Sequence, residues 1–140
     1  MRCRRREAPR RVQYQSMLRT LLKSKIHGGL VTATRLHYRG SITIASEVMM
    51  AANLVADEQV HVLNLNTGDR FETYVIPGKR GSRALELNGP AARLGQVGDP
   101  LIILAYGLYP DGESSRPQIV LLGPGNRPIR KPSARRRRVS

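Results

Sequence analysis

Short apolar runs, separated by glycine, proline and asparagine turns, recur along the chain and predict a protein built from strands. Residues 42–44 alternate apolar and polar positions with a period of two, which is typical of a half-buried strand, and residues 60–65 are strongly strand-like. The pattern predicts strands over residues 17–27, 30–37, 42–44, 60–65, 70–76, 84–87, 101–106 and 118–122, with a further short segment at 128–129.

The segments between these strands predict turns and little helix. Gly28 and Gly29 should end the first strand, and residues 66–69 (Asn-Thr-Gly-Asp) should form a hairpin turn. Residues 46–53 predict a short helix with Ser46 as its N-cap. Residues 88–92 predict a tight loop that continues into a helical turn. Many short strands with glycine turns favour a mainly β fold, in the form of a small barrel.

Length and composition refine this picture. A chain of 140 residues suits one domain with a modest core. Aromatic residues make up only 4% of the chain, so the core must consist mainly of leucine, isoleucine, valine and alanine.

The formal net charge of +14 lies mostly at the two ends. Residues 1–16 carry +5 and residues 127–140 carry +7, whereas residues 17–126 carry only +2. Such self-repelling ends predict two disordered basic tails around one folded domain over residues 17–126. Binding of nucleic acid through these tails is an alternative, but no aromatic residues that could stack on bases interleave the arginines.

Several features favour a cytoplasmic protein. Cys3 is the only cysteine, so an internal disulfide cannot form. No apolar segment of signal-peptide length follows the basic start, and the longest apolar-rich run, residues 101–109, is too short to span a bilayer. Folded-looking sequence begins at Met17, which is a plausible alternative start.

The usual catalytic motifs do not occur. The chain has no GxGxxG segment, no phosphate-binding P-loop and no GxSxG elbow. His27, His37 and His61 lack the further ligands that would complete a zinc site, so no metal centre is predicted. An enzyme with this sequence would need different chemistry.

The pair Gly40-Ser41 has two interpretations. A serine after a glycine is usually part of a turn, and Arg-Gly-Ser occurs both at 39–41 and at 80–82, so the tripeptide alone specifies nothing. The other interpretation is self-cleavage. Ser41 Oγ can attack the Gly40 carbonyl and form an ester. β-Elimination of that ester leaves a dehydroalanine, which hydrolyses to a pyruvoyl group and ammonia. A pyruvoyl group is an electron sink that can replace pyridoxal phosphate in decarboxylation.

The chain from Met17 to about Leu122 resembles the pyruvoyl-dependent aspartate 1-decarboxylases. The resemblance rests on motifs that occur in the family's order and spacing. They are residues 17–27 (MLRTLLKSKIH), 36–41 (LHYRGS), 66–70 (NTGDR) with Thr73-Tyr74, 80–83 (RGSR) and Asn88-Gly89.

This resemblance implies a double-psi β-barrel, a cut between Gly40 and Ser41 into β and α chains, and a homotetramer of the processed chains. It implies that the pyruvoyl group made from Ser41 forms a Schiff base with L-aspartate and releases CO2, giving β-alanine for pantothenate synthesis. Cleavage is either spontaneous or assisted by a maturation factor, and the sequence does not decide between the two. Neither a metal nor pyridoxal phosphate is implied, nor a membrane or nucleic-acid partner.

The resemblance also implies roles for individual residues. Ser41 would carry the pyruvoyl group and Tyr74 would donate the proton that replaces CO2. The implied substrate-binding residues are Lys25, Arg70, Thr73, Gly89, Pro90 and Ala91. The implied supporting residues are His27, Tyr38 and Asn88.

Two positions depart from the family pattern. Pro90 stands where the family usually has alanine, and it has no N–H to donate. Arg35 stands where the family often has an acidic residue. An inactive structural relative of the decarboxylases is therefore a further alternative to the enzyme.

Overall fold

The computed structural model describes residues 17–129, which form nine strands, one α-helix and two 3₁₀ turns. The tails over 1–16 and 130–140 lie outside the described residues. The strands are β1 (Leu18–Leu30), β2 (Ala33–Arg35), β3 (Ser41–Ala45), β4 (Gln59–Asn64), β5 (Arg70–Gly78), β6 (Leu85–Asn88), β7 (Pro100–Pro110), β8 (Gln118–Gly123) and β9 (Arg127–Ile129). Helix α1 spans Ser46–Ala51, and the 3₁₀ turns span Gly89–Leu94 and Pro124–Asn126.

The strands form one mixed sheet in the order β2-β6-β3-β5-β4-β7-β1-β8-β9. Strand β3 pairs parallel with β5 and antiparallel with β6, so the start of β3 lies between two neighbours. The prediction of a mainly β, barrel-like fold is confirmed, although the sheet is not closed: β2 and β9 each pair with one strand only. The double-psi connectivity stays a prediction.

The core consists of aliphatic side chains, as the scarcity of aromatic residues predicts. Ile42 and Ile44 on β3 are fully buried, as are Val60 and Val62 on β4. Thr43, between the two isoleucines of β3, is less buried than they are, which confirms the period-two pattern of residues 42–44, and buried residues alternate with less buried ones along β4. Each such side chain contributes about 1.5–3 kcal/mol to folding through burial.

Strand β1 continues through the glycines that were predicted to end it. The pairing of β1 with β7 shifts register between His27 and Gly29, and Gly28 adopts a φ of 90°. A glycine can place such a bulge inside a strand without steric strain, so the pair bends β1 rather than stopping it. In the same way β5 extends to Gly78 instead of ending before Pro77.

Two other element predictions were wrong. The strand expected over residues 30–37 is only three residues long, Ala33–Arg35, because a turn begins at Leu36. Ser46 is not the N-cap of helix α1, since Ala45 holds that position and no side chain caps the helix. The predicted hairpin turn after β4 and the helical turn after Asn88 are both present.

The end of the described chain is part of the sheet. Strand β9 pairs antiparallel with β8, so paired structure continues three residues past the predicted boundary at residue 126. Within residues 17–129, no helix has the length and apolar character needed to cross a membrane.

Candidate active site around Ser41

Ser41 is the first residue of β3 and is fully buried between two neighbouring strands. On one side it pairs with Asn88 of β6. On the other side the parallel pairing begins at Ile42 and Val75, so Tyr74 lies beside Ser41, one residue earlier on β5. Neighbouring strands are about 4.8 Å apart, so the fold brings Tyr74 and Asn88 to opposite sides of Ser41.

Hydrogen bonds hold the Ser41 hydroxyl in place. Its Oγ donates to the carbonyl oxygen of Arg39 at 3.0 Å and accepts from Asn88 Nδ2 at 2.9 Å. The same Asn88 nitrogen also donates to Thr43 Oγ1 at 2.9 Å. Asn88 is fully buried, and its Oδ1 has no hydrogen-bond partner among residues 17–129. The site therefore contains one unused buried acceptor next to the serine.

The loop after β6 lies directly on the segment before Ser41. Gly89 has a φ of 62°, and a Cβ at this position would lie 2.6 Å from the Tyr38 carbonyl oxygen and 2.8 Å from Gly40 Cα. A Cβ on Gly40 would lie 3.3 Å from Pro90 Cδ. The close packing of the two segments thus depends on glycine at position 89, whereas a Cβ on Gly40 would require Pro90 to move by a few tenths of an ångström.

Residues of this loop and of β5 line a cavity of about 310 Å³ beside Gly40, which we call the Gly40 cavity. It brings together three of the six expected substrate-binding residues and the expected proton donor Tyr74. Its lining includes Gly40, Thr73, Tyr74, Pro90 and Ala91.

Two further cavities adjoin the same part of the sheet. One, of about 720 Å³, is lined by Tyr38 and Tyr74 together with His37, Arg39 and Asp57. The other, of about 460 Å³, is lined by Thr43 and Asn88 and also by Tyr38; we call it the Thr43 cavity. Tyr38 thus stands between the two cavities, next to the predicted cleavage point.

Three predicted site residues lie elsewhere in the chain. Lys25 and His27 are on β1, where they pair with β7 and β8, and three strands separate β1 from β3 in the sheet. Arg70 is exposed at the start of β5, opposite Leu63. None of the three lines the Gly40 cavity within the described chain. Sequence spacing could not reveal this, because it does not specify which strands become neighbours.

Arg35, one of the departures from the family pattern, has a partner on the adjacent strand. Its Nε donates to Glu86 Oε2 at 3.2 Å, across the pairing of β2 with β6. The hydrogen bond to Glu86 and the charge of that carboxylate raise the pKa of Arg35 above its ordinary value. The basic residue is therefore matched by an acidic one at the rim of the Thr43 cavity.

A polar cluster outside the Gly40 cavity joins two of the segments that shape it. Asn64 Nδ2 donates both to Asp99 Oδ2 at 2.9 Å and to the carbonyl oxygen of Leu94, the last residue of the 3₁₀ turn. The hydrogen bonds from Asn64, from the Gln96 backbone N–H and from Asn66 hold the pKa of Asp99 below its ordinary value. This cluster ties the β4–β5 hairpin, which carries Arg70, to the loop that carries Pro90.

Thr43, Asn64 and Asp99 were not among the site residues predicted from the sequence. For Thr43 a signal was available, because residues two apart on a strand share a face and Thr43 therefore lies on the same side of β3 as Ser41. For Asn64 and Asp99 there was none, since their contact is made across 35 residues. Among residues 17–129 no group of histidine, cysteine or acidic residues could hold a metal ion.

Comparisons with known proteins agree on one family. A sequence model described as aspartate decarboxylase matches residues 17–129. The Aspartate 1-decarboxylase of Desulfitobacterium hafniense (strain DSM 10664 / DCB-2) is 51% identical over 117 residues, covering 81% of this chain and 91% of the relative. The Aspartate 1-decarboxylase of Kosmotoga olearia is 49% identical over 115 residues, covering 82% of this chain and 100% of the relative.

Proposed function

The chain belongs to the aspartate decarboxylase family, and we propose that it is an aspartate 1-decarboxylase, which converts L-aspartate to β-alanine and CO2. The observation that carries the proposal is the match of the whole described chain to this family, with a buried serine at the expected position. The β-alanine would supply pantothenate synthesis, and the enzyme would act in the cytoplasm.

The enzyme would first cut its own chain between Gly40 and Ser41. Ser41 Oγ, whose proton is hydrogen-bonded to the Arg39 carbonyl oxygen at 3.0 Å, attacks the Gly40 carbonyl carbon. The C–N bond then breaks, the proton lost from Oγ is balanced by the one gained at the Ser41 nitrogen, and Gly40 is left as an ester on Ser41. Thr73, which lines the Gly40 cavity, would donate a hydrogen bond to the oxygen that becomes negative during this step.

The residues around Ser41 fit the conversion of that serine to a pyruvoyl group. The hydroxyl is buried, so the ester formed there is protected from bulk water. The unused Asn88 Oδ1 gives a polar group of the substrate an acceptor beside position 41. Such a pyruvoyl group would supply a carbonyl that withdraws electrons from the substrate as CO2 leaves.

The other proposed roles follow the positions of the side chains. Tyr74, beside Ser41 and at the wall of the Gly40 cavity, would hold the proton that replaces CO2 at the substrate Cα. Gly89, Pro90 and Ala91 would shape the substrate pocket, and Tyr38 and Asn88 would support it. Pro90 contributes no N–H, so a backbone hydrogen bond to substrate would come from Gly89 or Ala91.

Lys25 and Arg70 would bind the substrate carboxylates, with His27 nearby. In one chain none of these residues reaches the Gly40 cavity, so their role requires a second copy of the chain. A homotetramer of processed chains, as proposed from the family, would provide such copies. A guanidinium suits this task because its fork can bind a carboxylate through two hydrogen bonds.

Intact mass spectrometry of the purified full chain tests self-cleavage, and release of CO2 from L-aspartate tests the activity. We expect two fragments that meet between residues 40 and 41, and turnover that depends on cleavage. A Ser41→Ala variant should remain one chain and release no CO2. The matched control is Ser82→Ala in the second Arg-Gly-Ser, which should cleave like the unmodified protein.

A single uncleaved chain after prolonged warming would contradict the proposed processing. Cleavage without turnover would instead indicate the inactive structural relative.

A further inference from the structure

We propose that Thr43 is a positioning residue for self-cleavage, which keeps the Asn88 amide turned so that it donates to Ser41 Oγ. This inference rests on the proposed self-cleavage and extends it to a residue outside the motifs of the family resemblance. The observation behind it is that both side-chain hydroxyls on this face of β3 accept from one nitrogen, Asn88 Nδ2, at 2.9 Å each.

The two hydroxyls use both protons of the Asn88 amide nitrogen. A side-chain amide has two N–H donors, and here one is directed to Ser41 and the other to Thr43. The backbone supports this arrangement, since Asn88 pairs with Ser41, and Thr43 follows two residues later on the same face of β3. Asn88 is fully buried, so water does not provide substitute partners.

Before cleavage, the Ser41 hydroxyl itself helps to orient the amide. Its proton is donated to the Arg39 carbonyl oxygen, so Ser41 can only accept from Asn88. Once the ester has formed, this proton is gone, and so is the hydrogen bond to Arg39. From that point Thr43 is the remaining hydroxyl that holds the Asn88 nitrogen towards Ser41 Oγ.

The orientation matters most in the second step. A water molecule or hydroxide ion that enters the adjoining Gly40 cavity takes the proton from Ser41 Cα, a double bond forms between Cα and Cβ, and the Cβ–Oγ bond breaks. Oγ leaves as part of the Gly40 carboxylate and carries the electron pair. An N–H donor 2.9 Å from Oγ stabilises this developing charge.

Without the Thr43 hydroxyl, one buried N–H of Asn88 loses its acceptor. Asn88 can give this N–H a new partner only by turning its side chain towards the Thr43 cavity of about 460 Å³, which Asn88 also lines. Such a turn withdraws the donor from Ser41 Oγ, so elimination should slow while ester formation is largely retained.

The test compares full-length Thr43→Val, Thr43→Ser and unmodified chains. Valine keeps the shape of threonine and removes the hydroxyl, whereas serine keeps the hydroxyl. Intact mass spectrometry over time measures cleavage, and hydroxylamine added at each time point cuts any accumulated ester. A fragment released by hydroxylamine that begins with an unchanged Ser41 reports the ester. Thr34→Val, on an exposed position of β2, controls for a general effect of this substitution.

We expect Thr43→Val to complete cleavage about tenfold or more slowly and to accumulate the ester, and Thr43→Ser and Thr34→Val to behave like the unmodified chain. Thr43→Val that cleaves at the unmodified rate would overturn the inference, as would an equal slowing in Thr43→Ser. Slow cleavage of Thr43→Val without a trapped ester would overturn it as well.

Thermal unfolding of each variant identifies a folding defect; if Thr43→Val does not fold, the comparison is made with Thr43→Ala. An unmodified chain that never cleaves would contradict the proposed function itself.

Discussion

Position 89 requires glycine for two separate reasons, its positive φ and the lack of space for a Cβ. Its φ of 62° lies in the left-handed region, and a Cβ there would approach backbone atoms of Tyr38 and Gly40 to less than 3.0 Å. Backbone atoms cannot move aside as the end of a flexible side chain can. The segment that ends at the predicted cleavage point is therefore held in place by the absence of a side chain on the opposite loop.

Gly89→Ala should destabilise the fold more than Gly68→Ala does. Both glycines have a positive φ, which disfavours alanine by about 1–2 kcal/mol, but a Cβ on Gly68 meets nothing within 4 Å. The contacts at Gly89 should add about 1–3 kcal/mol to the loss. Urea unfolding measures the stabilities of the two variants in chains that also carry Ser41→Ala and so remain uncut. In chains that keep Ser41, intact mass spectrometry should show slower cleavage for Gly89→Ala only. Equal losses in the two variants would contradict this account.

The candidate site was predictable residue by residue only where residues lie close in sequence or share a family motif. The structure brings Gly40, Thr73, Tyr74, Pro90 and Ala91 to one cavity, and the motifs around these positions pointed to them. The role of Asn88 beside Ser41 depends on strand pairing, which the motifs implied but did not show. Thr43 was missed because its hydroxyl is linked to Ser41 only by way of Asn88 and the residue belongs to none of the motifs.

Among the secondary-structure elements, the apolar pattern predicted where strands occur better than where they end. Strand β7 was expected over residues 101–106 but continues to Pro110, because residues of β1 from Leu18 onwards pair with that extension. Its length is thus determined by a partner about 90 residues away. Strand β1 was also predicted too short, since Gly28 is accommodated as a bulge instead of ending the strand.

The cluster around Asp99 predicts how the contact between the β4–β5 hairpin and the loop carrying Pro90 responds to pH. The folded protein lowers the pKa of Asp99, mainly through the hydrogen bond from Asn64. The stabilisation of the folded protein by ionised Asp99 is therefore fully present above the pKa that Asp99 has in the unfolded chain, about 3.9. It is lost as the pH falls through the lower pKa of Asp99 in the folded protein. Other carboxylates titrate in this range, so a variant is needed to isolate the effect.

Asp99→Asn should be less stable than the unmodified chain at pH 7, and the difference should shrink towards pH 3. Asparagine places an N–H where Asp99 now accepts from Gln96, Asn64 or Asn66, so at least one donor loses its partner. Urea unfolding at a series of pH values measures this. The control is Asp111→Asn, whose ion pair with Arg19 is half exposed and should have little effect at any pH. A difference for Asp99→Asn that stays constant with pH would contradict the prediction.

At the scale of the whole molecule, one buried side chain connects segments that the strand order places far apart. Asn126 Oδ1 accepts from the Leu30 N–H at 2.8 Å, and its Nδ2 donates to the carbonyl oxygens of Leu30 and Arg83 at 2.9 and 3.0 Å. Leu30 leads towards edge strand β2, Arg83 precedes β6, and Asn126 leads into edge strand β9. The two edges of the open sheet are therefore joined by a polar contact instead of strand pairing.

Asn126→Ala should lower the free energy of unfolding by about 2–4 kcal/mol, because part-buried backbone groups of Leu30 and Arg83 lose their hydrogen-bond partners. The matched control is Asn53→Ala: Asn53 has a φ of 52°, close to the 53° of Asn126, but its side chain is exposed. Asparagine tolerates a positive φ better than alanine does, and both variants lose this advantage. The difference between their free energies of unfolding therefore isolates the three hydrogen bonds of Asn126. Urea unfolding measures both. Since Asn126 contacts none of the residues around Ser41, cleavage well below the unfolding temperature should keep its normal rate in both variants. A similar small loss in the two variants would mean that packing of the aliphatic core, and not this contact, holds the edges of the sheet together.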